Sequence, residues 1–378
     1  MFRFDTLFPL CLVWAITTAS VRGQCTSQEL FTLMAADAAA MDGFGRRVAV
    51  FSDTAVVGAS SDNNAGGNRA GSAYVFVQSG DVWTGQAKLS ASDAAAGDYF
   101  GDSIALAGDT VVIGAPWDTH ASAVNAGSAY VFVRTGGVWT EQAKLIASDA
   151  SASDNFGYSV ALSGDTVLIG ANGDAGSGAH TGSAYVFVRS SGIWTQEAKL
   201  TASDAAADDW FGTSVSLSGD TALIGSYLND DACPGNVNCN SGSAYVFVRS
   251  GTVWTQQAKL TASDAATFDV FGYSVAISGD TAVVGAFRDD HAGGIDAGSA
   301  YVFTRIAGEW IEQSKLIASD AAPSDFLGQV SVAGDIALIG AYGDDQLGES
   351  NAGSAYFFTR SGGVWAEPAF DSPNWSSP

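Results

Sequence analysis

The chain has 378 residues, of which 47% are hydrophobic, 45 are glycine and 7 are proline, and its formal net charge is −24. This length and hydrophobic content can bury a sizeable core, which excludes a disordered chain, and the many glycines favour tight turns over long exposed helices. The negative charge would repel nucleic acid and anionic membrane surfaces, so neither is expected as a partner.

The first element along the chain is an apolar segment from Leu7 to about Ala19, followed by small and polar residues. This pattern is typical of a secretory signal peptide, with cleavage before Gln24 or nearer Ala19. The sequence therefore predicts a signal peptide over residues 1–23 and a secreted or cell-surface protein. No later run approaches the roughly 20 apolar residues of a membrane span, and none is expected.

A unit of 55 to 60 residues is then repeated six times, from about Leu30 to Phe370. Each unit has a Phe-Gly pair, which becomes Leu327-Gly328 in the sixth, and later a Gly-Ser-Ala-Tyr motif and a tryptophan in constant phase. The Gly-Ser-Ala-Tyr motifs begin at Gly71, Gly127, Gly182, Gly242, Gly298 and Gly353. Internal repetition on this scale indicates stacked copies of one structural unit.

The third unit shows the predicted strands most clearly. Alternating residues after Phe156-Gly157 predict a half-buried first strand, and the apolar run that starts at Thr166 predicts a second. The aromatic segment from Ser183 and the segment from Ile193 to about Leu200 predict the third and fourth. The connector to the next unit has no hydrophobic period of its own.

Four antiparallel strands at a constant period predict an all-β fold, a β-propeller, because a ring of blades leaves few unpaired sheet edges. A linear solenoid is the alternative. The direct count is six blades over residues 24–370, with residues 371–378 as a tail, and a seventh blade built from poorly matched chain ends stays open.

Four cysteines lie along the chain, and Cys11 would be removed with the signal peptide. Cys233 and Cys239 flank a short loop rich in glycine, proline and asparagine. In an exported protein these two predict a disulfide. Cys25 is then left over.

The order Phe-Gly, hairpin, Gly-Ala resembles the FG-GAP repeat of integrin α-subunit propellers and of many bacterial surface and secreted proteins. Pro116 completes Gly-Ala-Pro in the second unit, and the Gly-Ser-Ala-Tyr-Val-Phe segment is also similar to that family. The resemblance implies a propeller, whereas the function stays open because this fold serves adhesion, ligand binding and catalysis.

The calcium loops of that family have no counterpart here. Calcium-binding members carry an Asp/Asn-rich loop between Phe-Gly and Gly-Ala, because Ca²⁺ needs about six to eight oxygen ligands. In the third unit, Gly164-Asp165 joins the two strands directly, which is typical of a two-residue hairpin turn. The sequence therefore predicts no metal site of this type, and no cofactor is expected.

Most of the 33 aspartates, against 7 glutamates, occupy repeated positions. In the third unit these are the connector positions Asp149 and Asp154, the hairpin-turn position Asp165 and the loop position Asp174. The first three are predicted to cap backbone N–H groups in turns. The fourth lies between the second and third strands, in a loop that varies between units, and variable loops on a rigid scaffold are where binding usually resides.

The favoured function is therefore a monomeric, non-catalytic module that binds an extracellular protein or glycan through the loops between strands two and three, as in adhesion or recognition. Its candidate binding residues are Asp62, Asp118, Trp117, Asp174, Asp230, Asp289 and Asp344. The sequence shows no catalytic motif. The alternatives are an extracellular hydrolase or lyase that acts at the central channel and a purely structural matrix component. His120 and His291, in equivalent loops, are weak candidates for metal ligands.

Overall fold

A computed structural model describes residues 32–120, 123–176, 178–230, 239–345 and 349–368. These residues form 24 strands and no helix. The first three sheets contain β1 (Val48–Phe51), β2 (Thr54–Ala59), β3 (Ser72–Ser79) and β4 (Val82–Leu89); β5 (Ser103–Ala107), β6 (Thr110–Ala115), β7 (Ser128–Thr135) and β8 (Val138–Leu145); β9 (Ser159–Ser163), β10 (Thr166–Ala171), β11 (Ser183–Ser190) and β12 (Ile193–Leu200).

The next three sheets contain β13 (Ser214–Ser218), β14 (Thr221–Ser226), β15 (Ser243–Ser250) and β16 (Val253–Leu260); β17 (Ser274–Ser278), β18 (Thr281–Ala286), β19 (Ser299–Ile306) and β20 (Glu309–Leu316); β21 (Leu327–Ala333), β22 (Ile336–Ala341), β23 (Ser354–Ser361) and β24 (Val364–Ala366). Each sheet is one blade, and its strands pair antiparallel in chain order. This confirms the predicted all-β propeller with six four-stranded blades.

The hairpin between the first two strands of a blade is as short as predicted. In blade 3, Ser163 pairs with Thr166, so Gly164 and Asp165 alone form the turn. Gly164 has φ of 59°, a value that an asparagine or glycine tolerates best and that a two-residue hairpin turn requires. The first two strands therefore leave no room for a calcium loop in this blade.

The hydrophobic core lies between neighbouring blades. The second strand of blades 2 to 5 is buried along its whole length because the preceding and the following blade pack on its two faces. Between blades 2 and 3, for example, Val112 and Val131 pack in one cluster with Ile169, Tyr185 and Trp194. The near-continuous apolar run of these strands is therefore a consequence of burial on both sides.

Polar links also join neighbouring blades at repeated positions. Trp194 Nε1 of blade 3 donates to Gln142 Oε1 of blade 2 at 2.9 Å, and Arg189 Nη1 donates to Thr110 Oγ1 at 3.2 Å. The arginine–threonine bond recurs from each of blades 2 to 6 to the preceding blade. Blade 6 carries Ile336 at the threonine position and blade 1 carries Gln78 at the arginine position, so this bond cannot form between them.

The loops between second and third strands pack on the connectors that lead into the following blade. Phe156 N donates to Ala126 O at 2.9 Å, and Ser153 N donates to Val124 O at 2.9 Å. Both kinds of segment therefore lie at the same end of the blades. We call this surface the loop face, and it comprises the described residues of these loops, 60–71, 116–120, 123–127, 172–176, 178–182, 227–230, 239–242, 287–298, 342–345 and 349–353, with the connectors beside them.

Candidate functional site

The loop aspartates that were predicted to bind a partner lie inside the protein. Their exposed fractions are between 2% and 6% for Asp62, Asp118, Asp174, Asp289 and Asp344. The loops therefore do not display these carboxylates at the surface, and binding through these residues stays a prediction.

Asp62, Asp118, Asp174 and Asp289 each belong to a cluster with a lysine and a tyrosine, shown here for blade 3. Asp344 Oδ2 accepts from the hydroxyl of Tyr356 at 2.9 Å. Lys199 Nζ lies 2.6 Å from Asp174 Oδ2 and 2.7 Å from Asp149 Oδ2. The hydroxyl of Tyr185 lies within hydrogen-bonding distance of both carboxylates, and the ammonium group stands over its ring at 5.3 Å. Burial alone would raise the pKa of Asp174, but the hydrogen bonds from Lys199 and Tyr185 lower it below its ordinary value.

The same cluster recurs around the propeller. The lysine bridges a connector aspartate and a loop aspartate in Lys88–Asp37–Asp62, Lys144–Asp93–Asp118, Lys199–Asp149–Asp174 and Lys315–Asp264–Asp289. Each connector directly precedes its blade in the chain. The cluster therefore joins three segments of the same blade: the connector, the loop between the second and third strands, and the fourth strand. The cluster therefore stabilises the fold of the repeat.

Blade 4 corrects one assignment. Asn229, and not Asp230, stands at the position of the buried aspartates, where its Oδ1 accepts from Ser243 Oγ at 2.9 Å and from Lys259 Nζ at 3.1 Å. Asp230 is half-buried and accepts from Asn240 N at 2.6 Å. The amide in blade 4 shows that the position requires an oxygen acceptor more than a charge.

The turn aspartates were predicted to cap backbone groups, and one class does so. Asp154 Oδ2 accepts from Ser151 N at 2.6 Å, and the equivalent bond recurs in all six connectors. Asp165 of the hairpin turn instead lies 2.6 Å from Arg189 Nη2, and the turn aspartates of blades 2 to 6 each pair with such an arginine.

The buried connector aspartates give the propeller a predicted pH dependence. Burial raises the pKa of Asp154 and of Asp269 from 3.8 to about 6. The native state therefore holds these protons at a higher pH than the unfolded chain, so their contribution to stability falls as pH rises from about 4 to about 6 and is constant above that. In the Asp154→Asn/Asp269→Asn variant we expect the free energy of unfolding to decrease much less over this pH range. The difference should be on the order of 2 kcal/mol per residue at most.

Thermal unfolding of the wild type and this double variant between pH 4 and pH 7 measures the effect. Thr255→Ala, on the exposed side of the fourth strand of blade 4, changes no titratable group, so it serves as the control and should follow the wild-type profile. Identical pH profiles for the wild type and the double variant would contradict the assignment.

The three histidines hold loops together. His291 Nδ1 accepts from Gly293 N at 2.9 Å, so its Nε2 carries the proton and donates to Gly298 O at 3.0 Å. His120 makes the equivalent contact with Gly127 O at 3.1 Å, and His180 stacks on Trp210. No group of three or more His, Cys, Asp or Glu side chains that could hold a metal ion occurs among the described residues.

Cys239 is buried and disulfide-bonded. Its predicted partner, Cys233, lies outside the described residues, so the pairing stays a prediction. No helix in the described ranges is long and apolar enough to cross a membrane.

The loop face exposes large apolar side chains that differ from blade to blade. Trp117, which was predicted as a binding residue, is 41% exposed. Others on this face that the sequence interpretation missed are Val124 at 56%, Phe268 at 51%, Ile295 at 70% and Tyr342 at 55%. On the opposite end of the blades, exposed apolar residues recur periodically at the start of the fourth strand, as Val82, Val138, Ile193, Val253 and Val364 do.

An aromatic cluster occupies the loop face in blades 4 to 6. Tyr273 packs against Tyr227 and Phe287 with ring centroids 5.6 and 4.5 Å apart. Phe287 in turn contacts Phe326 and Tyr342, whose rings stack with centroids 5.1 Å apart and planes 5° apart. We call these five residues, Tyr227, Tyr273, Phe287, Phe326 and Tyr342, the rim cluster.

The rim cluster adjoins a cavity of about 340 Å³ that all six blades line. Tyr273 belongs to both the cluster and the cavity wall. The other lining residues are mainly polar side chains of the first strands and the residues before them, including Arg47, Ser103, Tyr158, Ser159, Thr213, Ser214, Ser274 and Gln329. The central channel therefore offers hydroxyl and amide groups beside an aromatic surface.

Comparison with known proteins agrees with this architecture. The FG-GAP repeat matches the chain six times, at residues 28–76, 83–132, 139–187, 194–247, 254–303 and 310–358. The second to sixth matches each begin at the second residue of a fourth strand and run through the connector and two strands of the next blade into its third strand. No curated protein matches the chain. With six matched repeats over most of its length, the chain belongs to the FG-GAP repeat family.

Proposed function

We propose that this protein is an exported, non-catalytic binding module that holds an extracellular protein or glycan partner against its loop face. The observation that carries the proposal is the set of exposed apolar side chains on that face, Trp117, Val124, Phe268, Ile295 and Tyr342. Exposed apolar surface on a soluble scaffold costs free energy that binding recovers, and such patches mark interaction sites.

The backbone beneath these side chains supports the proposal. The loops and connectors are bonded to each other, as Ser324 N is to Ile295 O at 2.9 Å and Ser153 N to Val124 O at 2.9 Å. The exposed side chains are thus presented by ordered backbone, which lowers the conformational entropy that a partner must remove on binding. The repeated aspartate clusters lie below them and serve this rigidity.

A comparison of the two ends of the blades tests the proposal. The loop-face variant Trp117→Ser/Val124→Ser/Ile295→Ser and the matched variant Val82→Ser/Val138→Ser/Val253→Ser, at the opposite end, remove the same number of exposed apolar side chains. Each chain, starting at residue 24, is immobilised and incubated with the extracellular fraction of its native host, and captured protein and carbohydrate are quantified.

We expect the loop-face variant to bind about tenfold more weakly or worse, because a central apolar contact contributes about 2 kcal/mol. The matched variant should bind as the wild type does. Equal capture by all three chains, or loss only in the matched variant, would refute the loop face as the binding surface. Equal capture by all three would favour a purely structural role.

A further inference from the structure

The rim cluster is not part of the repeated packing. Aromatic contacts that the fold needs recur in every blade, as Phe156 with Tyr185 at 5.4 Å and with Phe187 at 5.9 Å do in blade 3. Tyr227, Phe287 and Tyr342 each follow the Gly-Ala or Gly-Ser pair of their blade, whereas the same position holds Ser60, Pro116 and Asn172 in blades 1 to 3. The propeller therefore folds without rings at this position, and their concentration in three adjacent blades calls for another explanation.

The hydroxyl groups beside the cluster are available to a ligand. The third-strand tyrosines all reach an aspartate, as Tyr130 does to Asp93 at 2.8 Å. Tyr158, Tyr227, Tyr273 and Tyr342, in contrast, make no side-chain hydrogen bond to any other described residue. Burial raises the pKa of Tyr227 to about 12, so its phenol is neutral at physiological pH and can both donate and accept.

The ring of Tyr342 is accessible from one side. Tyr342 is 55% exposed and has Phe326 stacked behind it, so one face of its ring is supported and the ring is held in place. Arg288 lies on the edge of the cluster with its guanidinium carbon 5.7 Å from the ring centre of Phe287. The surface thus combines flat apolar rings with neutral hydroxyls and one guanidinium group.

The chemistry of this surface selects among ligands. An apolar side chain would cover the phenol hydroxyls without pairing them, which costs free energy, whereas a sugar ring places C–H groups on an aromatic face and hydroxyls at its edge. The net charge of −24 disfavours an anionic ligand. A standard protein partner needs about 800 Å² on each side, which five rings alone do not supply.

We propose that the rim cluster binds an uncharged oligosaccharide, which stacks on Tyr342 and hydrogen-bonds to the tyrosine hydroxyls at the mouth of the channel. This inference rests on the proposed function and assigns it a site and a ligand class. The residues that carry it are Tyr342 and Phe287 for stacking and Tyr273 and Tyr227 for hydrogen bonding.

The test uses the chain from residue 24 and an array of neutral oligosaccharides, including hexamers of glucose, N-acetylglucosamine and mannose, with oligogalacturonate as the charged comparator. The best ligand is then titrated by calorimetry into the wild type, Tyr342→Ala and Tyr273→Phe. We expect neutral sugars to bind and oligogalacturonate not to bind. Tyr342→Ala should raise Kd about tenfold or more through loss of the stacking ring, and Tyr273→Phe should raise it about threefold or more through loss of one hydrogen bond.

The control is Ile193→Ala, which removes an apolar side chain that is 66% exposed at the opposite end of the blades. It should leave Kd unchanged, and thermal unfolding should show that all variants are folded. Absence of binding to every neutral sugar would overturn the inference, as would an unchanged Kd in both tyrosine variants. If no sugar binds while the loop-face variant still loses capture of host protein, only the glycan assignment fails and the proposed function stands.

Discussion

Replacing Gly182 by alanine is expected to prevent folding or to lower the free energy of unfolding by more than about 4 kcal/mol. Gly182 begins the Gly-Ser-Ala-Tyr motif of blade 3 with φ of 81°, and an added Cβ would lie 2.0 Å from the carbonyl oxygen of Phe211. Phe211 cannot move away, because its N–H donates to Thr181 O at 3.1 Å and Gly212 N donates to Gly225 O at 3.0 Å. Urea unfolding followed by tryptophan fluorescence measures the loss.

Gly353 provides a matched control within the same chain. It begins the same motif in blade 6 with φ of 78°, but no atom lies within 3.4 Å of its added Cβ, and the nearest is Ala341 O at 3.5 Å. Gly353→Ala should therefore show only the cost of an L-residue in left-handed conformation, about 1–2 kcal/mol. Similar losses in both variants would mean that backbone conformation, and not the contact between blades, explains the glycine in this motif.

The sequence was sufficient to predict the blades because the repeat supplies the same evidence six times. The alternating first strand and the apolar second strand recur in all six units and the Gly-Asp turn in five, so a misleading residue in one unit does not change the prediction. The structure places the predicted fourth strand of unit 3 at Ile193–Leu200.

The candidate site was harder to predict because the presence of a charged residue in the sequence does not show whether its side chain is exposed or buried. The loop aspartates were predicted as binding residues because they lie in a variable loop, but the position of a residue in a loop does not show whether its side chain is buried. The missing information was the partner: all five lysines of the chain occupy one repeated position, before the last leucine of the fourth strand. That regularity indicates a repeated ion pair and could have been recognised. The rim cluster could not be recognised from the sequence, because its residues, such as Tyr227, Tyr273 and Phe326, are far apart in the chain. They come together only through the packing of three blades.

The lysine clusters make a second strong prediction. The side chain of Asp174 is 8% exposed and that of Lys199 is 29% exposed, so removal of the ammonium group leaves a carboxylate in a poorly hydrated place. Lys199→Met should lower the free energy of unfolding at pH 7 by about 3 kcal/mol, the usual cost of breaking a largely buried pair on one side. Asp174→Asn should cost much less, because Asn229 fills the same role beside Lys259 in blade 4.

The pH dependence and a double variant separate charge from packing. Hydrogen bonds lower the pKa of Asp174 in the native state, so the stability from this pair is present above about pH 4 and is lost as the carboxylate is protonated below it. The difference between the wild type and Lys199→Met should therefore shrink below pH 4. Lys199→Met/Asp174→Asn should be more stable than Lys199→Met alone, because the amide needs no counter-charge. The opposite outcome would be a double variant that is the least stable of the three, with the same loss at every pH. In that case the aliphatic stem of Lys199 and its contact with Tyr185, rather than its charge, would stabilise the connector.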